Sequence, residues 1–387
     1  MKIICAGYLI RYPMGGQVLH HLQYLIGLKR LGYHVTYVEH YGMPKFCYDP
    51  LRDSWTHDPS YGVAYLLDLF RLYDLDERWC YIAEDEACYG MNRSKLATAF
   101  RECDLFLNLS NINWIPEIEL CPRRILVDTD PVFTQIGAHG FGGPFSNYHA
   151  CFTYGENIHR PGCEMPTSGH TWLPTRQPIA LDIWRIEASN PSAPFTTVMN
   201  WTAFGDSVHQ GRTYGQKDRQ FEPFFTLPVE SGQPMELAVN VPSQIRTRME
   251  AGGWVIHNPR KVTGSPSSYQ EFVRNSKAEF SVAKHAYVST GCGWFSDRSA
   301  GYLASGRPVV VEDTGFSRWL ETGLGALTFQ SHQEALNGIS EVNAHYSAHS
   351  RAAREIAETY FDSNKVLTSL IDRGMNATTP LTDRGPS

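Results

Sequence analysis

Two rhythms of apolar residues alternate along this chain. Short runs that are apolar at almost every position give way to stretches with apolar residues every third or fourth position, and polar or glycine-bearing loops separate them. The first rhythm predicts buried parallel strands and the second amphipathic helices. Lys2 to Gly7 reads as a strand, and Arg11 to Gly16 as a loop with two adjacent glycines. Val18, Leu22, Leu25 and Ile26 then define a helix that Gly32 stops, and Tyr33 to Glu39 is the next strand. Tyr61 to Tyr73 and Ser94 to Cys103 predict helices. Asp104 to Leu109, Arg124 to Val127 and His149 to Tyr154 predict strands.

A proline-rich segment with Pro166, Pro174, Pro178, Pro191 and Pro194 follows, and then the pattern restarts. Strands are expected over Phe195–Trp201, Met235–Val241, Trp254–His257 and Glu279–Ala283, and from 309 to 311. Helices are expected over Gln216–Phe225, closed by Pro228, and over Ile245–Ala251 and Ser268–Ser276. A further helix starts at 297, capped by Ser296 and ended at Gly306. Ser331 and Glu334 form a capping-box pattern, and Asp362 can cap the last helix. The expected class is α/β, with two Rossmann-like, doubly wound parallel-sheet domains. Residues 1–175 would form the first and 195–360 the second, joined by a linker over 176–194. A helix over 361–375 could cross back to the first domain, and 376–387 reads as a flexible polar tail. Tyr41 to Asn92, rich in Tyr, Trp and Cys, shows no readable period.

Composition narrows the classes. The chain has 387 residues, 42% of them hydrophobic, enough for two cores. A formal net charge of −6 argues against nucleic-acid binding through an overall positive field, although a local basic groove stays open. No apolar run reaches the roughly eighteen residues of a membrane span. The apolar start lacks a basic segment and a small-residue cleavage site, so a cytoplasmic location is expected. The nine cysteines form no C-x-x-C pair and offer no metal-ligand spacing, which fits reduced, structural thiols and no metal site.

The candidate chemistry lies at strand C-termini, where the loops of such sheets gather. Arg298 sits on the first turn of a helix, where free N–H groups and the helix dipole attract anions. Arg212 and Lys217 follow the first strand of the second half, Lys284 follows another, and Gly293 closes a glycine loop. Such cations can neutralise a diphosphate without metal. In the first half, the strand Leu126–Asp128 ends in carboxylates. Asp128 is the leading candidate base, with Glu156 as another and His20 as a helper on the first helix. Gly15, Gly16 and Gln17 open that helix without a G-x-G-x-x-G or Walker pattern, which leaves either close approach to a sugar or a plain tight turn.

These residues resemble those of GT-B glycosyltransferases, in which two Rossmann-like domains face each other across a cleft. The match rests on Arg298 and Gly306-Arg-Pro-Val-Val310. Where many members carry a ribose-binding glutamate, this chain has Gly301, so the resemblance moves that role to Asp297 or Glu312. Arg212-Thr-Tyr-Gly-Gln-Lys217 and Val127-Asp-Thr-Asp-Pro-Val-Phe-Thr-Gln135 are similar to the diphosphate loop and the catalytic-aspartate segment of phage DNA glucosyltransferases. The resemblance implies transfer of a sugar from a nucleoside diphosphate donor, a UDP-sugar for preference. It implies inversion with Asp128 as base, no cofactor, and an unidentified acceptor. A nucleotide-sugar 2-epimerase, or a non-catalytic nucleotide-sugar or glycan-binding module, remains as an alternative.

Overall fold

The computed structural model describes residues 1–42, 47–75, 77–138, 144–188, 190 and 192–377. Most of the tail expected over 376–387 lies outside this range. The chain forms two compact units. Unit 1 contains Met1–Tyr154, Pro166–Pro178 and the chain from Ser363, and unit 2 contains Gly155–Met165 and Ile179–Asp362.

Unit 1 is built on an eight-stranded sheet. Its strands are β1 (Lys2–Ala6), β2 (His34–His40), β5 (Trp79–Ile82), β6 (Cys88–Gly90), β7 (Leu105–Leu109), β8 (Arg124–Asp128), β9 (Ala150–Thr153) and β10 (Trp172–Pro174), in the order β10-β9-β8-β7-β1-β2-β5-β6. The hairpin β3 (Cys47–Asp49) and β4 (Ser54–Thr56) stands apart from it. The sheet is parallel apart from β6. β1, β7 and β8 are almost wholly buried, as the continuous apolar runs require. From β1 the chain first builds outward through β2, then returns to the other side through β7, so β1 and β7 form the switch point.

The last helix, Ser363–Asn376, packs on the first, Gly15–Arg30. Gly27 makes room for it, since a Cβ there would fall 2.5 Å from Leu367 Cδ1.

Unit 2 has a six-stranded parallel sheet, ordered β15-β14-β11-β16-β17-β18. Its strands are β11 (Phe195–Asn200), β14 (Met235–Asn240), β15 (Trp254–His257), β16 (Ala278–Ser281), β17 (Val309–Glu312) and β18 (Ala326–Phe329). A small antiparallel hairpin, β12 (Ser207–His209) and β13 (Arg212–Tyr214), follows β11. Phe224, Phe280 and Phe329 anchor the core, with ring centroids 5.1–5.5 Å apart. The switch point lies between β11 and β16. These strands pair only at Phe195↔Ala278 and Thr196↔Glu279, whereas β11 pairs with β14 over its whole length.

Three expectations need correction. The segment 155–165 belongs to unit 2, because Asn157 ties it there. Its backbone N–H donates to Cys292 O at 3.0 Å, and its side-chain amide to Gly291 O at 3.0 Å and Gly315 O at 2.8 Å. The single helix over Gln216–Phe225 is a helix Lys217–Phe221, a 3₁₀ turn Glu222–Phe224 and a helix Leu227–Ser231. Pro228 sits in the first turn of the last of these, where its missing N–H costs nothing, so it opens a helix rather than closing one. Ser331 caps the helix His332–Ala344, but Glu334 reaches back to the N–H of Gln330 instead of Ser331.

Candidate functional site

Unit 2 carries the denser cluster, at the β11/β16 switch point. Beyond Thr196 and Glu279 the two strands stop pairing, and the Arg298 guanidinium fills the gap. Its Nη1 donates to Val198 O on β11 at 2.8 Å. Its Nε and Nη2 donate to Glu279 Oε1 and Ser281 Oγ on β16, each at 2.5 Å. Ser296 places this side chain by capping the helix Asp297–Ala304, accepting from Arg298 N–H at 3.2 Å. The sequence suggested an arginine turned out to an anion. The structure turns three of its N–H groups inward, and fully buried Glu279 balances much of its charge.

Lys217 stands differently. It is 7% exposed, and among the described residues its ammonium makes no hydrogen bond and no ion pair. Burial holds its pKa well below the usual lysine range, and the charges of Arg298 and Lys284 add to that, opposed by Glu279 and Asp297. Local backbone geometry brings the two lysines together. Gly215 O and Gln216 O accept from Ala286 N–H and His285 N–H, at the start of the helix His285–Thr290 whose N-cap is Lys284. Lys284 lies over the rings of Phe204 and Tyr287, at 5.0 and 5.3 Å. Gln216 was not anticipated as a site residue. Among the described residues, its buried Nε2 has no hydrogen-bond partner, and neither has Glu279 Oε2. The cluster therefore offers two unmet donors and one unmet acceptor beside a surplus of positive charge.

Glu312, at the end of β17, is 8% exposed and belongs to the same cluster. It accepts from Ala283 N–H at 2.9 Å and from the Gln220 amide. Burial pushes its pKa up to about 7, although those bonds and the Lys217 charge pull the other way. Gly293 faces Asn157, where a Cβ would come within 2.6 Å of the carboxamide carbon. Arg212 is drawn aside, to Glu164 at 2.6 Å and Ser289 O at 2.5 Å, so it is paired at the surface rather than held for a ligand.

The expectations for unit 1 fare unevenly. Asp128 is wholly buried, and both of its oxygens are engaged. Oδ1 accepts from Asp130 N–H at 2.9 Å. Oδ2 accepts from Gln135 Nε2 at 2.8 Å and Thr153 Oγ1 at 2.6 Å. Gln135 Oε1 in turn accepts from Val132 N–H at 2.6 Å, holding a β-branched residue at φ 74°. That conformation is costly and persists only where the surroundings enforce it. Asp128 thus braces a strained loop, with both oxygens already accepting hydrogen bonds, where the sequence suggested a base at a strand end facing a cleft. Burial raises its pKa against the bonds it accepts.

Glu39, on β2, organises the loop that follows β1. It accepts from the N–H groups of Leu9, Ile10 and Arg11 at 2.8–2.9 Å and from Tyr37 Oη at 2.5 Å. Gly15, Gly16 and Gln17 begin the first helix with no side-chain cap, and Gln17 bonds His21. His20 is half-buried, its ring 5.9 Å from that of Tyr154. Glu156 lies in unit 2. Tyr12 stacks on Trp55 at 5.8 Å and meets Tyr48 at 5.4 Å, a cluster built across a loop and a hairpin that no sequence period could reveal.

Among the described residues, no helix is long and apolar enough to cross a membrane. No protein-family model matches the sequence, and no curated protein does. Solved structures do. An alpha-glucosyltransferase in complex with UDP-glucose and DNA containing an abasic site aligns with a TM-score of 0.59 at 11% identity, over 97% of this chain and 99% of its own. AviGT4, a glycosyltransferase involved in avilamycin A biosynthesis, aligns at 0.56 and 12% identity, over 97% of each chain. A glycosyltransferase from Rickettsia africae ESF-5 aligns at 0.52 and 9%, over 96% of this chain and 97% of its own. This likeness is one of fold, and the chain has the GT-B fold.

Proposed function

We propose that this chain is a glycosyltransferase that moves a sugar from a nucleoside diphosphate donor, a UDP-sugar, to an acceptor hydroxyl. One observation carries the reading: Lys217 is buried beside Arg298 and Lys284, and among the described residues its ammonium has no hydrogen-bond or ion-pair partner. A buried, uncompensated ion costs several kcal/mol, and an anionic ligand removes that cost. A sugar diphosphate supplies two negative charges, and its hydroxyls and base supply both donors and acceptors for Gln216 Nε2 and Glu279 Oε2. UDP is preferred because solved proteins of this fold hold UDP or UDP-glucose.

In this reading Lys217 and Lys284 meet the diphosphate directly, and Arg298 holds the splayed strands apart while adding to the local field. As the glycosidic bond to the donor breaks, negative charge grows on the leaving diphosphate. Preplaced cations stabilise that charge without reorganising, the role a divalent metal plays elsewhere. Asp128 is given no proton to take, so neither inversion nor an aspartate base belongs to the reading. The neighbour's DNA is not carried over either, since the net charge of this chain is −6.

The test combines thermal denaturation with product analysis. UDP and UDP-sugars should raise the melting temperature, as ligands of the folded state do. Incubation with the correct donor alone should slowly release UDP, and Lys217→Ala should remove both effects. If no nucleoside diphosphate or its sugar raises the melting temperature, the reading fails. An epimerised donor in place of hydrolysis would replace transfer with epimerisation.

A further inference from the structure

None of the nine cysteines, all of them among the described residues, is joined in a disulfide, and their sequence spacing suggests no pairing. The fold brings two of them together. Cys103 ends the helix Arg93–Glu102, Cys121 ends the 3₁₀ turn Pro116–Leu120, and their Sγ atoms lie 2.9 Å apart. Both residues are buried, at 3% and 1% exposure. A disulfide needs about 2.05 Å between the sulfurs, so less than an ångström of movement would close the bond.

The surroundings differentiate the two thiols. Cys103 Sγ–H donates to Cys121 Sγ, and Cys121 Sγ also lies 3.1 Å from Arg123 O. Arg124 Nη1 bonds Cys121 O at 3.0 Å, which brings its positive charge close. The hydrogen bond from Cys103 holds the Cys121 thiol below its usual pKa, with Arg124 helping, while the same bond and burial raise that of Cys103. One thiol is therefore the better nucleophile and the other is placed to resolve it.

We propose that Cys103 and Cys121 form a peroxide-sensitive dithiol that closes reversibly to an intramolecular disulfide. The Cys121 thiolate attacks one peroxide oxygen, the O–O bond breaks, and with one proton the departing oxygen leaves as water. Cys121 is then a sulfenic acid. The Cys103 sulfur attacks Cys121 Sγ, the S–S bond forms and the S–O bond breaks. The Cys103 proton leaves with that oxygen as a second water. Two thiols are oxidised and one hydrogen peroxide is reduced, and a small dithiol reverses the change. Hydrogen peroxide suits the site because it is small enough to reach buried sulfur. The bridge would tie the entries of β7 and β8, at the opposite end of these strands from the Asp128 loop, so it should change stability more than chemistry.

The sequence offers a clean assay. Trypsin cuts after Arg101 and Arg123, releasing Glu102–Arg123 with both cysteines, no other cysteine and no methionine. The native, full-length protein is treated with hydrogen peroxide, unfolded in N-ethylmaleimide and digested. The expected peptide is lighter by two hydrogen atoms and carries no maleimide. Dithiothreitol before the alkylation restores two maleimides, and Cys5, buried in β1, stays alkylated throughout. The oxidised protein should also melt at a higher temperature, because the cross-link restricts the unfolded chain. The proposal is overturned if the peptide keeps two maleimides after peroxide, or gains sulfinic acid without a bridge.

Discussion

Gly301 lies beneath the indole of Trp184: a Cβ built on Gly301 would come within 2.7 Å of Trp184 Cη2. Trp184 is 3% exposed, so its ring cannot move out to solvent. This is the position where related sequences were expected to carry a ribose-binding glutamate. Gly301→Ala should cost about 1–3 kcal/mol through overpacking. Thermal denaturation should show a lower melting temperature, and the added cost should disappear in a Trp184→Ala background.

Lys217→Met removes a charge on a buried residue that has no partner among the described residues. Folding stability should stay level or rise, while affinity for UDP-glucose falls about ten- to a hundred-fold. Calorimetric titration and thermal denaturation of the same variant decide it. Arg212→Ala should change affinity far less, because Arg212 is already held by Glu164 and Ser289 O. Equal losses in the two variants would count against a diphosphate at Lys217.

Glu312 predicts a pH dependence. Its folded pKa of about 7 lies above the ordinary carboxyl value, so the folded state binds this proton more tightly than the unfolded chain does. Its contribution to stability is complete at low pH and is lost as pH rises through about 7. Above that point the carboxylate is negative beside the proposed diphosphate. UDP-glucose should therefore bind about five- to ten-fold more weakly near pH 8 than near pH 6, and Glu312→Gln should flatten the curve. Lys217, whose pKa is depressed by burial, pushes in the same direction as it loses its proton.

Asp128→Asn separates a brace from a base. A base would lose turnover with its melting temperature unchanged. A brace places an amide N–H against donors from Asp130, Gln135 or Thr153, so stability should fall by about 1–3 kcal/mol together with activity. Denaturant unfolding of the variant measures this.

Several elements were legible because local chemistry sufficed. The run Val309–Val311 could only be a buried strand, Ser296 could cap, and Gly306 could take φ 69°. The site was less legible. Arg298 looked like an outward ligand because a helix start with an arginine is a local pattern, but Glu279, nineteen residues earlier, claims its guanidinium. Lys217 was legible from its place after the first strand of the second half and from the likeness of Arg212–Lys217 to a diphosphate loop, whereas Gln216 was not singled out. Their significance lies in what does not touch them, and that is a property of packing.

The sequence by itself determined most of the central parallel strands, the helices between them and the concentration of cations at strand ends, because periodicity, capping and turn chemistry act over a few residues. Tertiary structure alone decided which cation stays uncompensated, which carboxylate is walled in and which thiols meet. Those outcomes depend on desolvation and on partners far apart in the chain, and neither is written in any local pattern.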